Sequence, residues 1–322
     1  MTVMNMVEAL NSALKNEMQS DKTVLVLGED VGVDGGVFRV TNNLLKQFGP
    51  ERVFDTPLAE SGIVGTSIGL SVNGFKPVAE IQFDGFVHPA FDQLISHASR
   101  IRNRSRGRFS CPLVVRSPYG GGIKALEHHS EAMETVYVHT PGLKVVIPSS
   151  PYNAKGLLIS AIRDPDPVIF LEPKKVYRAI KEEVPEKSYT IPLGKANIVQ
   201  EGSDLTIISF GSMIKTCKEA LEQINYSIEL IDLQTLYPLD TETIINSVQK
   251  TGRCVIVHEA PKTAGIGAEI IARINEKALL SLEAPVERVT GFDTIIPLGK
   301  REDDYLPNIK RIKKAVEKVM NF

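Results

Sequence analysis

The chain has 322 residues, with 37 Lys plus Arg against 39 Asp plus Glu, a formal charge of −2, and 43% hydrophobic, 24% charged and 6% aromatic residues. This is ordinary globular composition, which excludes a disordered, collagen-like or low-complexity chain. Near-neutral charge argues against a protein whose main work is coating nucleic acid, and apolar runs such as Val24–Leu27 fall far short of the about 20 residues a membrane span needs.

Taken in chain order, short β-branched runs alternate with amphipathic stretches of helix length. The spacing of Met6, Leu10, Ala13 and Leu14 predicts a helix over Met4–Met18, whose polar face carries Glu8 and Lys15, unlike a secretory signal. Strands are predicted at Val24–Leu27, Val78–Gln82, Leu113–Arg116, Lys144–Ile147 and Val168–Leu171, with helices at Glu60–Val72, His88–Arg102 and Pro151–Ile162 between them. Such alternation implies crossover connections and a mostly parallel sheet covered on both faces. Lys181–Gly202 breaks the rhythm with clustered Glu, Lys and Pro, which divides the chain into a unit 1–185, a linker 186–202 and a unit 203–322. The second unit repeats the pattern: strands Leu205–Phe210, Ile228–Leu233, Cys254–His258 and Val286–Val289, helices Met213–Ile224, Thr241–Thr251 and Gly267–Ala278, and a basic closing helix from about Pro307. Length divided by a nominal domain of about 150 residues gives the same two α/β domains. Cys111, Cys217 and Cys254 form no Cys-x-x-Cys, which fits a reducing, cytoplasmic setting rather than a disulfide or zinc scaffold.

Several patterns fail on context. Gly65-Thr66-Ser67-Ile68-Gly69 matches a hydrolase nucleophile motif, but that chemistry needs Ser67 on a strained turn after a strand, and here it reads as mid-helix. Gly62, Thr66 and Gly69 instead form a small-residue face suited to tight packing against another element. Gly265-Ile266-Gly267 lacks the third glycine of a dinucleotide fingerprint, because Ile270 stands there, and no Walker loop exists. Arg100, Arg102, Arg104, Arg106 and Arg108 read as a solvated helix end or an anion-binding or partner surface, with no aromatic platform to suggest nucleic acid.

Carboxylates gather where parallel strands end. Gly28-Glu29-Asp30-Val31-Gly32 follows the first strand, Asp55-Thr56-Pro57-Leu58-Ala59-Glu60 opens a helix, Glu80-Ile81-Gln82-Phe83-Asp84-Gly85-Phe86 follows another strand, and Glu127-His128-His129-Ser130 lies in a later loop. The carboxyl ends of parallel strands are where such sheets bind ligands.

On these runs, with Gly36-Val37-Phe38-Arg39, Val145-Val146-Ile147-Pro148, Pro151–Lys155 and His258-Glu259-Ala260-Pro261, essentially the whole chain resembles the beta subunit of the thiamine-diphosphate-dependent component of 2-oxo acid dehydrogenase complexes, the pyruvate and branched-chain group. The resemblance implies a transketolase-like pyrimidine-binding domain followed by a transketolase C-terminal-like domain. It implies an alpha2beta2 heterotetramer in which an alpha subunit holds diphosphate and magnesium through Gly-Asp-Gly, a motif absent here. The position matching Glu60 would hydrogen-bond the pyrimidine ring nitrogen and share its proton. Glu29, Leu58, Gln82 and Phe86 would complete the cofactor surface. His129 would deliver a proton during acyl transfer to the lipoyl domain of the acyltransferase component, although His128 could exchange roles with it. A potassium ion is implied at Leu113, Ala161, Ile162, Asp164 and Asp166; turn chemistry alone also accounts for Asp164-Pro165-Asp166-Pro167. Two other readings stand beside this one: a serine hydrolase using Ser67 and His129, and a scaffold subunit that only docks partners. Neither pyruvate nor a branched-chain 2-oxo acid is favoured by the residues.

Overall fold

A computed structural model describes residues 1–322. The chain opens with the helix Met6–Ser20, set by a capping box in which the Glu8 amide donates to Asn5 Oδ1 at 3.0 Å and the Asn5 amide donates to Glu8 Oε2 at 2.8 Å. Its apolar stripe packs against the helix Pro151–Arg163, which begins with Ser150 as N-cap and proline at its first position. Both helices cover a seven-stranded sheet ordered Thr235–Tyr237, Lys144–Val146, Val168–Pro173, Val114–Tyr119, Lys76–Glu80, Val24–Gly28, Val53–Asp55. Every pairing in it is parallel except that of Thr235–Tyr237. Val24–Gly28 and Val114–Tyr119 are buried along their whole length, as strands covered on both faces must be.

A second sheet follows the order Glu287–Gly291, Cys254–Pro261, Leu205–Ser209, Ile228–Asp232, Asn197–Gln200, with only the last strand antiparallel. The stretch 186–202, read as a linker, therefore supplies an edge strand to this sheet. The pair Thr2–Met4 and Glu182–Val184 closes the first unit. The region His88–Arg102 is helical but broken into short 3₁₀, π and α turns, beginning with Pro89. No helix is long and apolar enough to cross a membrane.

The two units are not separate bodies. Thr235–Tyr237, which lies beyond the break in the sequence pattern, adds to the first sheet, and one cluster of 34 buried apolar residues runs from Leu27 and Ile63 to Ile270 and Ala278. Inside the first sheet Arg116, fully buried, bridges two carboxylates: it donates to Glu80 Oε2 at 2.7 Å and to Glu172 at 2.7 and 2.9 Å, and Tyr177 also donates to Glu172 at 2.6 Å. This network ties three neighbouring strands together near their carboxyl ends, below the loops that carry the candidate site.

Candidate active site

The first side of the site is built on Val24–Gly28. Gly28 takes a φ of +152°, and a Cβ there would lie 2.6 Å from the Glu80 carbonyl oxygen, so only glycine lets the chain leave the strand so close to its neighbour. The loop that follows is fastened at several points. Asp55 accepts the Gly32 and Val33 amides at 2.6 and 3.1 Å, Gln82 Nε2 donates to Asp30 at 2.9 Å, and the Thr56 amide donates to the Gly28 carbonyl at 2.9 Å. Glu29 is thereby held beside Glu60, the first residue of the helix Glu60–Val72. Partial burial, and then the neighbouring charges of Glu60 and Asp30, push the Glu29 carboxyl above the usual carboxylate range. Glu60 is half-exposed rather than buried, and Leu58, two residues before it, is 78% exposed. An apolar side chain this bare beside two carboxylates suits the face of a flat heterocycle carrying ring nitrogens.

The second side is the loop carrying the paired histidines. His129 is half-buried, with its ring 4.3 Å from Phe83 and 5.0 Å from Phe86, the latter edge to face. Nδ1 of His129 lies 2.8 Å from the Glu127 carbonyl oxygen. A carbonyl only accepts, so Nδ1 carries the proton and Nε2 is the atom free for proton transfer. His128 is exposed, sits in the left-handed region at φ +65°, and lies 3.9 Å from Glu131. Its backbone approaches Gly85 so closely that a Cβ at Gly85 would fall 2.2 Å from the His128 carbonyl oxygen. The Asp30–Gln82 bond on one side and the Phe83–His129 contact on the other join both halves through consecutive residues. Glu29, Leu58, Glu60, Gln82, Phe86 and His129 thus share one end of the first sheet.

Sequence reasoning missed the groups that hold this loop in place. The Gly121 amide donates to Glu259 at 2.8 Å, the Gly122 amide to Glu302 at 2.6 Å, and Ser130 Oγ to Glu302 at 2.7 Å, all across the junction with the second unit. Beneath the loop, Asp84 accepts from Tyr137 at 2.6 Å and from the Met133 amide at 2.9 Å, and burial lifts its carboxyl to about 6. Glu134, which accepts from Tyr119 at 2.7 Å, is lifted to about 8, again chiefly by burial. Their only signal in the sequence was Asp84 in the run Glu80–Phe86 and Glu259 in His258-Glu259.

Leu113, Ala161, Ile162, Asp164 and Asp166 lie at the opposite, amino-terminal end of the strands Val114–Tyr119 and Val168–Pro173. Asp164 accepts from Lys144 Nζ at 2.6 and 2.8 Å, and Asp166 accepts from Arg102 Nε at 2.6 Å. Both carboxylates are engaged by cationic side chains, so a cation here would be met by carbonyl oxygens. The carbonyls of Leu113 and Ala161 already accept the Val168 and Asp164 amides. No three His, Cys, Asp or Glu side chains converge anywhere as a metal cluster would require.

Ser67 lies in the middle of its helix, fully buried, with its hydroxyl donating to the Ile63 carbonyl at 2.8 Å. A hydroxyl so placed cannot reach a substrate or His129, which removes the hydrolase reading. The face of Gly62, Thr66 and Gly69 is exposed, and a Cβ at Gly69 would meet nothing within 4 Å. The expectation of tight packing there fails within this chain, because no element of its own covers that face. Gly265 and Gly267 are explained differently: Cβ atoms there would lie 2.8 and 3.0 Å from the buried His258 ring.

Residues 2–180 match the family described as "Transketolase, pyrimidine binding domain", and residues 194–312 match "Transketolase, C-terminal domain". The chain is 52% identical to the pyruvate dehydrogenase E1 component subunit beta of Acholeplasma laidlawii over 322 residues, covering 99% of this chain and 98% of that one. It is 53% identical to the protein of the same name from Bacillus subtilis (strain 168), over the full length of both. A solved structure titled "Split gene transketolase, inactive beta4 tetramer" superposes with a TM-score of 0.79 at 22% identity, covering 99% of this chain and 98% of that one, a likeness of fold alone.

Proposed function

This chain belongs to the beta subunits of the thiamine-diphosphate-dependent 2-oxo acid dehydrogenases, and we propose that it supplies the pyrimidine half of an active site completed by an alpha subunit. The observation that carries this reading is the Glu29–Glu60 carboxylate pair beside a bare Leu58, open at a strand end, with no cluster of side chains that could hold a metal. Thiamine diphosphate, when bound, supplies the electron sink for loss of carbon dioxide from a 2-oxo acid. Within this chain, Glu60 would hydrogen-bond a ring nitrogen of the bound cofactor and hold a proton there, Leu58 and Phe86 would pack on the ring, and Gln82 and Glu29 would hold the rim. The unit 1–185 faces the cofactor and the unit 203–322 braces it and serves assembly. Magnesium would be held by the alpha subunit, and a potassium ion would be met by the carbonyls of Leu113, Ala161 and Ile162, since Asp164 and Asp166 are already engaged by Lys144 and Arg102. Three buried free cysteines fit a reducing cytoplasm.

Pyruvate is the proposed substrate, since it appears in the names of the relatives, and branched-chain 2-oxo acids are the competitors to test. His129 is proposed as the acid for acyl transfer to a lipoyl domain: once Nε2 has taken up a proton, it gives that proton to the departing sulfur while Nδ1–H stays bonded to the Glu127 carbonyl. The test is reconstitution with an alpha subunit and assay of two half-reactions over a panel of 2-oxo acids. Pyruvate should be turned over fastest. His129→Ala should slow acylation of a free lipoyl domain by about 10²–10⁴-fold and largely spare decarboxylation read with an artificial electron acceptor. Equal losses in both assays would show that His129 only positions the substrate; a loss seen with His128→Ala instead would move the role to His128.

A further inference from the structure

One cation near this site takes no part in the roles assigned so far. Lys174 follows the strand Val168–Pro173 and is 5% exposed, and its ammonium has no hydrogen-bond partner. It lies 5.6 Å from the centre of the Phe83 ring, the ring against which His129 is packed. Its immediate neighbours on the chain touch both units. A Cβ at Gly122 in the histidine loop would fall 2.6 Å from Lys175 Cβ, and one at Gly211 in the second unit would fall 3.2 Å from Pro173 Cγ. Four carboxylates act on the ammonium from separate elements: Glu259 and Glu302 from the second unit, Asp84 after the strand Lys76–Glu80, and Glu131 from the loop itself. Two of these, Glu259 and Glu302, are the acceptors for the Gly121 and Gly122 amides and Ser130.

A buried unpaired ammonium is costly, and it persists only where surrounding charge compensates it. Here the compensation runs both ways, because Glu259 and Glu302 are themselves buried, and a nearby cation offsets the cost of carboxylates held there to accept from the loop. Burial brings the amine down to about 8 while the carboxylates oppose that fall, so it remains a cation at neutral pH. We propose that Lys174 is a positioning residue that holds the loop Gly120–Glu131, and with it His129, by neutralising the carboxylates that anchor the loop and by supporting the Phe83 ring. The part concerning His129 rests on the role proposed for that residue; the hold on the loop does not.

The experiment uses the reconstituted alpha–beta complex with Lys174→Met, Lys174→Arg and His129→Ala in parallel, and Lys174→Gln should the methionine variant not assemble. Without the cation, Glu259 and Glu302 lose their compensating charge, and their hold on the loop amides weakens. Amide exchange over residues 120–131 should then rise on the order of tenfold, and acyl transfer should fall by about tenfold or more while decarboxylation holds. Lys174→Arg, which keeps the charge, should restore most of both. Unchanged exchange in Lys174→Met overturns the proposal whatever His129 does. Raised exchange with undiminished acyl transfer, where His129→Ala still loses it, overturns the positioning of His129 while leaving that residue's own role intact. If His129→Ala loses nothing, the reading of His129 fails, and exchange alone decides whether Lys174 holds the loop.

Discussion

Glu60 stands at the first turn of an α-helix, a place where a carboxylate is ordinarily a charge complementing the helix dipole. What distinguishes it is company. Glu29 lies close enough to be pushed upward by its charge, and Leu58 is left bare beside it. Glu60→Gln keeps shape and one acceptor but cannot exchange a proton. In the reconstituted enzyme it should lower every thiamine-dependent step by about 10²–10⁴-fold without dissolving the complex. The direct readout is hydrogen–deuterium exchange at the cofactor's acidic carbon, and an unchanged rate would refute the assignment. A second titration belongs to Glu134. Burial raises its folded-state value to about 8 from 4.5, so the protonated form is the one the fold prefers. Its contribution is fully present below pH 4.5 and is lost as pH rises through about 8. Relative to Glu134→Gln, the unsubstituted chain should therefore lose thermal stability across that window, measured as the difference between the two melting curves. A difference that does not change with pH would contradict the assignment.

Among the elements, the strands and long helices were legible because period and length agree: Glu60–Val72 and Thr241–Thr251 have the bounds the sequence predicts, and the closing helix expected from about Pro307 begins at Ile309. Misread or missed features depend on partners distant in sequence. Thr235–Tyr237 is three residues long and becomes a strand only by pairing with Val145 and Val146. Asn197–Gln200 falls in a stretch read as linker from its clustered Glu, Lys and Pro, and its order comes from pairing with Ile228–Asp232, although its side chains are largely exposed. The small-residue face of Glu60–Val72 shows that glycine spacing signals a close approach without saying which molecule makes it. The residues proposed for the cofactor side come from the family's motifs. Glu302 and Lys174 were not legible, since nothing local announces that a carboxylate will accept an amide from 180 residues away. Arg116 gives the sharpest test of the sheet. Arg116→Met leaves Glu80 and Glu172 buried without their shared cation and should destabilise the chain by about 3–5 kcal/mol. Denaturant unfolding is the measurement, and a change below about 1 kcal/mol, the scale of an exposed ion pair, would mean the triad is not the lock it looks like.

Across the whole molecule, two sheets share one apolar core, and the histidine loop is pinned at their junction by carboxylates from the second unit. Glu29, Glu60 and Leu58 stand on the rim of the first sheet, and cavities of 840 and 610 Å³ lie elsewhere, lined by other residues. That is the form the proposed half-site would take, with one face of the ligand met here and the other met by an alpha subunit. Calorimetry with thiamine diphosphate and magnesium tests that claim most directly. The isolated chain should show negligible binding, and tight binding should appear when an alpha subunit is added. Micromolar binding by the isolated chain would contradict the account.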